Sequence, residues 1–242
     1  MPSETIDIQT PDGTADAYLA QPDAESRGAV LFMFDAFGLR PRIHEMADRI
    51  AAEGYTVLAP NLFYRAGRTP VVDFPDMSTE AARMEFFGRI RPLMEQLTPA
   101  ALASDGAAYL GALGDGPVGV TGYCMGARAG WWVAAAHPGR VRALAGFHGG
   151  RLATDDPNSP HLASASLRAE VYFGHADNDQ SMTPENIAAL DGALTAAGVP
   201  HRSEVYEGAA HGYTMSDTPA WNEEACERHY AALFGLLERS LG

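Results

Sequence analysis

Short apolar runs alternate with longer amphipathic stretches along this chain, and the two periods predict different elements. Residues 5–9 and 15–20 flank a Pro11-Asp12-Gly13 turn and predict an antiparallel hairpin. Residues 29–34, AVLFMF, are apolar at every position, as a strand covered on both faces should be. Helical spacing follows over 41–53, with Ile43, Met46, Ala47 and Ile50 on one face and Gly54 as the stop. The same reading predicts strands at 55–59, 117–121, 141–147, 169–173 and 203–206. It predicts helices at 80–96, 99–113, 128–136, 184–197 and about 219–239, and a loop over the strand ends at 61–79. Alternation of this kind implies an α/β fold, a mostly parallel central sheet flanked by helices on both faces. No repeat period and no linker-like stretch interrupts it, so residues 1–242 read as a single domain with no separate lid domain. In such sheets ligands sit beyond the carboxyl ends of the strands, so functional residues are expected just after the apolar runs.

Composition narrows the chemistry. Hydrophobic residues make up 46% and charged ones 20%, the balance of an ordinary globular chain. Cys124 and Cys226 are the only cysteines, which excludes a disulfide scaffold and fits a reducing cytosol. The first residues lack the basic and apolar regions of a secretory signal, and no apolar run approaches the ~20 residues of a membrane span. The expectation is a cytoplasmic protein with no membrane partner. Thirty-one acidic residues stand against 17 basic ones, a net charge of −14 that argues against a nucleic-acid partner. Every basic residue is arginine. Without lysine the chain has no Schiff-base chemistry, no P-loop lysine and no ordinary attachment point for pyridoxal phosphate.

The strongest local signal is Gly122-Tyr123-Cys124-Met125-Gly126, between a buried strand and a helix. It is G-x-S-x-G with cysteine in place of serine: a sharp turn that exposes the nucleophile, with glycines two residues either side to avoid collision. The turn places Cys124 at a helix N-terminus, where backbone N–H groups favour a thiolate. The competing reading is a buried structural cysteine. Of eight histidines, His211 is the preferred base, because Glu207-Gly-Ala-Ala-His211-Gly is a small-residue loop just after a strand. His148 and His175 also follow strands and could line the pocket, His137 reads as a helix cap, and His229 as a surface residue of a helix. The orienting acid is sought after strand 169–173, where Asp177 and Asp179 both sit. Asp179 is preferred, since Met182 and Pro184 follow it as in the usual turn after that acid; Asp177 stays as the alternative. The order nucleophile, acid, histidine is that of α/β-hydrolases. The oxyanion hole is expected from the N–H groups of Met125 and Ala36, the latter in the loop after the strand at 29–34. Asp35 is then a carboxylate close to the thiol.

Together GYCMGAR, LFMFDAFG, EGYTVLAPNLF, ADND…MTPE and YEGAAHGY resemble the dienelactone hydrolase family of α/β-hydrolases, from about Ala29 to the last helix. The resemblance implies a Cys124–His211–Asp179 triad, no metal and no cofactor, and hydrolysis of small lactones or carboxylic esters through a thioester acyl-enzyme. It also implies that Asp35, where the family commonly has glutamate, restrains the resting thiol. Two departures stand out. Asp35 is one methylene shorter than that glutamate, and residues 212–216, GYTMS, lack the arginine that grips a substrate carboxylate in dienelactone hydrolases proper. Arg83 is left as another possible contact, or as a surface residue. Two other classes compete: a thiol redox protein, which would want a resolving cysteine nearer than Cys226, and an inactive binding module on the same fold.

Overall fold

The computed structural model describes residues 2–75 and 79–242; residues 76–78 of the loop expected at 61–79 lie outside them. Within the described residues eight strands form one sheet: β1 (Ser3–Thr10), β2 (Gly13–Ala20), β3 (Gly28–Met33), β4 (Tyr55–Pro60), β5 (Val118–Tyr123), β6 (Val141–Phe147), β7 (Glu170–Ala176) and β8 (His201–Tyr206). Their spatial order is β1-β2-β4-β3-β5-β6-β7-β8. The β1–β2 hairpin and the β2–β4 pair are antiparallel, and every other pairing is parallel. The order reverses between β3 and β5, which are neighbours although β4 intervenes in the chain. The loops leaving those two strands therefore diverge and open a crevice at their carboxyl ends.

Among the described residues, six α-helices cover the sheet: α1 (Pro41–Ala52), α2 (Glu80–Glu95), α3 (Pro99–Ala112), α4 (Met125–Ala136), α5 (Pro184–Ala196) and α6 (Glu223–Leu241). In β5, a Cβ on Gly119 would meet Leu237 of α6, whereas the next residue, Val120, meets Gly130 of α4. Successive strand residues face opposite ways, so α4 and α6 lie on opposite faces. This is the α/β-hydrolase architecture, and no separate lid domain is evident among the described residues. Strands β3 to β7 are buried along nearly their whole length, as the uniformly apolar runs require.

Several boundaries differ from those predicted, each for a local reason. Helix α4 begins at Met125, not at 128, because Cys124 itself makes the turn. Strand β7 runs on to Ala176, which buries His175 instead of leaving it on a loop. Helix α6 starts at Glu223, not near 219, where the Asn222 side chain accepts the Ala225 N–H and caps it. His229 on α6, expected at the surface, is fully buried: it faces the sheet, edge-on to Phe147 and hydrogen-bonded to the Tyr123 hydroxyl. Burial pushes its pKa down to about 3, so it is a neutral core residue.

Candidate active site

The crevice is built around the turn from β5 into α4. Cys124 has φ 54° and ψ −118°, a left-handed backbone that a side-chain-bearing residue rarely adopts. The turn is held by the Cys124 N–H, which donates to the Phe147 carbonyl at 3.1 Å. Glycine is required on both sides. A Cβ on Gly122 would strike the Gly126 carbonyl, and one on Gly126 would strike the carbonyls of Met33 and Phe34 at the end of β3. The glycines thus let α4 pack hard against the strand that carries the Asp35 loop.

The structure brings Cys124, His211 and Asp179 into one chain of contacts. His211 Nε2 lies 3.1 Å from Cys124 Sγ, and its Nδ1 hydrogen-bonds Asp179 Oδ2 at 2.6 Å. The other oxygen of Asp179 accepts the Ser181 N–H at 2.8 Å and its hydroxyl at 2.7 Å. Burial alone would raise the Asp179 pKa, but His211 and Ser181 stabilise the ionised form and hold it at about 2. Burial would likewise depress His211, but Cys124 and Asp179 outweigh it and raise its pKa to about 10. Asp177 goes elsewhere: it accepts the Gly208 N–H at 2.9 Å and, through its own N–H to the Ala209 carbonyl, ties down the histidine loop.

Met125 is the first residue of α4 and Ala36 follows Asp35 beyond β3. Among the described residues, neither N–H donates to a protein acceptor, so both are available to an oxyanion. Asp35 is not brought into a hydrogen bond with the thiol. Its carboxylate forks onto Arg40 at 2.6 and 3.0 Å and accepts the Phe37 N–H at 3.1 Å. Arg40 also grips Asp217, at 2.6 Å, on the loop that carries His211. Burial would lower the Arg40 pKa, but the two carboxylates win and raise it.

Arg40 and Ser181 are site-side residues that sequence reasoning did not assign, whereas His148 lies beside the site as a pocket-lining candidate should. Ser181 had a signal, since an Asp-x-Ser turn commonly folds a hydroxyl onto its own carboxylate. Arg40 had none: nothing local marks a partner 177 positions away. His148 lies edge-on to the His211 ring at 5.3 Å and hydrogen-bonds the Thr214 hydroxyl at 2.8 Å. Burial, helped by His211, keeps its pKa well below the usual value, so a neutral ring backs His211. Cys226 is buried on α6, where burial pushes its pKa up to about 11. Among the described residues, no group of three His, Cys, Asp or Glu side chains is placed to hold a metal ion.

Comparison with known proteins agrees with this architecture. The model of the Dienelactone hydrolase family matches residues 15–241. A Salmonella typhi protein provisionally named carboxymethylenebutenolidase is 28% identical over 241 residues, covering 91% of this chain and 86% of its own. A Rhodococcus opacus carboxymethylenebutenolidase is 27% identical over 202 residues, 80% of this chain and 73% of its own. In fold, a Klebsiella pneumoniae crystal structure provisionally named dienelactone hydrolase superposes with a TM-score of 0.82 at 22% identity, covering 98% of both chains. A match running from the second strand into the last helix leaves little of the sheet outside it, and this chain therefore belongs to the dienelactone hydrolase family, as a carboxylic ester hydrolase of the α/β-hydrolase fold.

Proposed function

We infer that the protein hydrolyses lactones or carboxylic esters with Cys124 as nucleophile, His211 as base and Asp179 as the acid that orients it, within one domain over residues 1–242. The observation that supports this most is the unbroken contact from Sγ through the imidazole to a carboxylate kept ionised. In this reading Sγ attacks the ester carbonyl carbon, and the carbonyl electron pair moves onto oxygen between the N–H groups of Met125 and Ala36. The tetrahedral intermediate collapses, the C–O bond breaks, and the departing alkoxide takes the proton carried by His211. A thioester remains on Cys124. Water then attacks it, giving a proton to His211 as the thiolate leaves and the free acid forms. Asp35 is assigned to disfavour the idle thiolate through space, as part of a cluster with Asp217 and Arg40 that carries one net negative charge. A cytoplasmic setting belongs to the same proposal, since the reaction needs Cys124 as a free thiol; no described helix is long and apolar enough to cross a membrane.

The test is turnover of a chromogenic aryl acetate. Cys124→Ala should lower it by roughly 10³-fold or more with the fold intact by circular dichroism, because members of a triad act as a unit. Wild type should release a burst of phenol that iodoacetamide abolishes. Activity of the Cys124→Ala protein within tenfold of wild type would move the nucleophile elsewhere.

A further inference from the structure

The chain as a whole is acidic, but one cavity is lined by more arginines than carboxylates. A cavity of about 760 Å³ opens between α2, α3 and α4, and it reaches the elbow at Met125, the residue after the nucleophile. Three arginines, Arg91, Arg128 and Arg151, line it against two carboxylates, Glu95 and Asp156. In a chain with 31 acidic and 17 basic residues, that ratio is inverted.

The arginines are not scattered. Met125, Arg128 and Ala129 are spaced three and four apart on α4, so they share one face of the helix, and that face is the cavity wall. Arg128 is half-buried. Arg151 follows Gly150, where a Cβ would strike the Ser181 side chain, and its own N–H donates to the Ser181 carbonyl at 2.8 Å. Its backbone is thereby fixed to the turn that carries Asp179. Among the described residues, neither guanidinium makes a hydrogen bond or an ion pair with the protein. Other buried or half-buried arginines near the sheet ends are paired: Arg40 with Asp35 and Arg65 with Asp105. Burial and the neighbouring Arg151 both disfavour the charged form of Arg128, against the attraction of Asp156. A half-buried cation without a hydrogen-bonded partner is unfavourable for the free protein and favourable for a ligand that supplies one. The opposite wall is apolar, with Phe87 and Met94 of α2 and Leu102 of α3. At this size the cavity falls in the range that holds drug-sized ligands, well beyond the needs of a small lactone ring.

We propose that this cavity takes the far end of an amphipathic ester, with an apolar stem lying from the Cys124 elbow along α4 and a terminal oxyanion, carboxylate or phosphate, held by Arg128 and Arg151. The assignment rests on the hydrolase reading above for the word ester, and on the cavity alone for the rest.

Two measurements separate those parts. Binding is read by calorimetry on the Cys124→Ala protein with two probes, monomethyl suberate and octyl phosphate. Dimethyl suberate and octanol serve as their neutral counterparts. The anions should bind and the neutral compounds should bind at least tenfold more weakly, since charge-assisted contacts of this kind are worth about a factor of ten or more. Which of the two anions binds tighter tells carboxylate from phosphate. The double substitution Arg128→Gln with Arg151→Gln should remove the preference, whereas Arg239→Gln, which deletes one positive charge at the far surface, should leave it. Turnover is read on two ester pairs, one with the carboxylate at the acyl end and one at the alcohol end, each against its methyl-capped form. The acid should have about a tenfold lower KM in one pair, and the double substitution should abolish the difference. Equal binding of anions and neutral compounds, or a preference that survives the double substitution, overturns the proposal. Anion binding that depends on the two arginines in a protein that turns over no ester would leave the cavity assignment standing and sink the hydrolase reading instead.

Discussion

At the scale of single residues, the decisive question is which aspartate serves His211. Asp179 meets the imidazole at 2.6 Å, while Asp177 meets the Gly208 N–H. Asp179→Asn is therefore expected to lower kcat by roughly 10³-fold or more through loss of the correct tautomer and of imidazolium stabilisation. Asp177→Asn should cost far less; a reversed ranking, with both proteins folded, would give the role to Asp177. Stability carries the same signature. The Asp179 pKa is depressed from 3.8 to about 2, so its contribution is complete above the unfolded value and is lost as pH falls toward about 2. His211 is raised from 6.5 to about 10, so its contribution is complete below 6.5 and is lost as pH rises toward about 10. Thermal unfolding across pH should show the gap between wild type and Asp179→Asn narrowing below pH 3.8. The three side chains that meet at the crevice could be singled out in the sequence because Cys124, Asp179 and His211 each follow a strand, in the order that the proposed triad requires. Arg40 could not, because an ion pair between distant loops leaves no periodic or local trace.

At the scale of elements, the instructive unit is the pair of loops that Arg40 joins. One follows β3 and carries Ala36; the other follows β8 and carries His211. Arg40 is only 8% exposed and Asp35 3%, so this pair is screened little by water. Asp35→Asn would take the cluster from one net negative charge to none. With less negative charge near the elbow the thiolate is favoured, and iodoacetamide should alkylate the idle enzyme faster than wild type near neutral pH. Superimposable alkylation profiles would mean that Asp35 only shapes its loop. The elements themselves were mostly readable from periodicity, since buried parallel strands are apolar throughout and α1 shows its buried face at helical spacing. What periodicity could not supply was the ends. The start of α4 depends on one left-handed residue, and the length of β7 depends on pairing with β6 and β8. His229 departs from expectation for a related reason: a polar residue in a helix is expected to face water, whereas its hydrogen bond to Tyr123 makes burial tolerable.

At the scale of the whole molecule, the sheet order was implied only as a class. Strand–helix alternation dictates parallel pairing, but the reversal between β3 and β5 that opens the crevice is a matter of tertiary packing. The cavity beside α4 was equally hidden, since its arginines come from three separate segments of the chain. The backbone at Cys124 has a further consequence for the molecule as a whole. Folded domains are marginally stable, and a non-glycine residue held at such dihedrals costs on the order of 1–3 kcal/mol. Cys124 is thus a standing liability, tolerated because the turn is locked between β5, α4 and β3. At most sites alanine is better than glycine by about 0.5–1 kcal/mol, because glycine has more freedom to lose on folding. Position 124 should invert that order: Cys124→Gly should melt at a higher temperature than Cys124→Ala, both proteins being inactive. Two melting curves would then measure what the wild-type chain sacrifices to hold a cysteine at this turn.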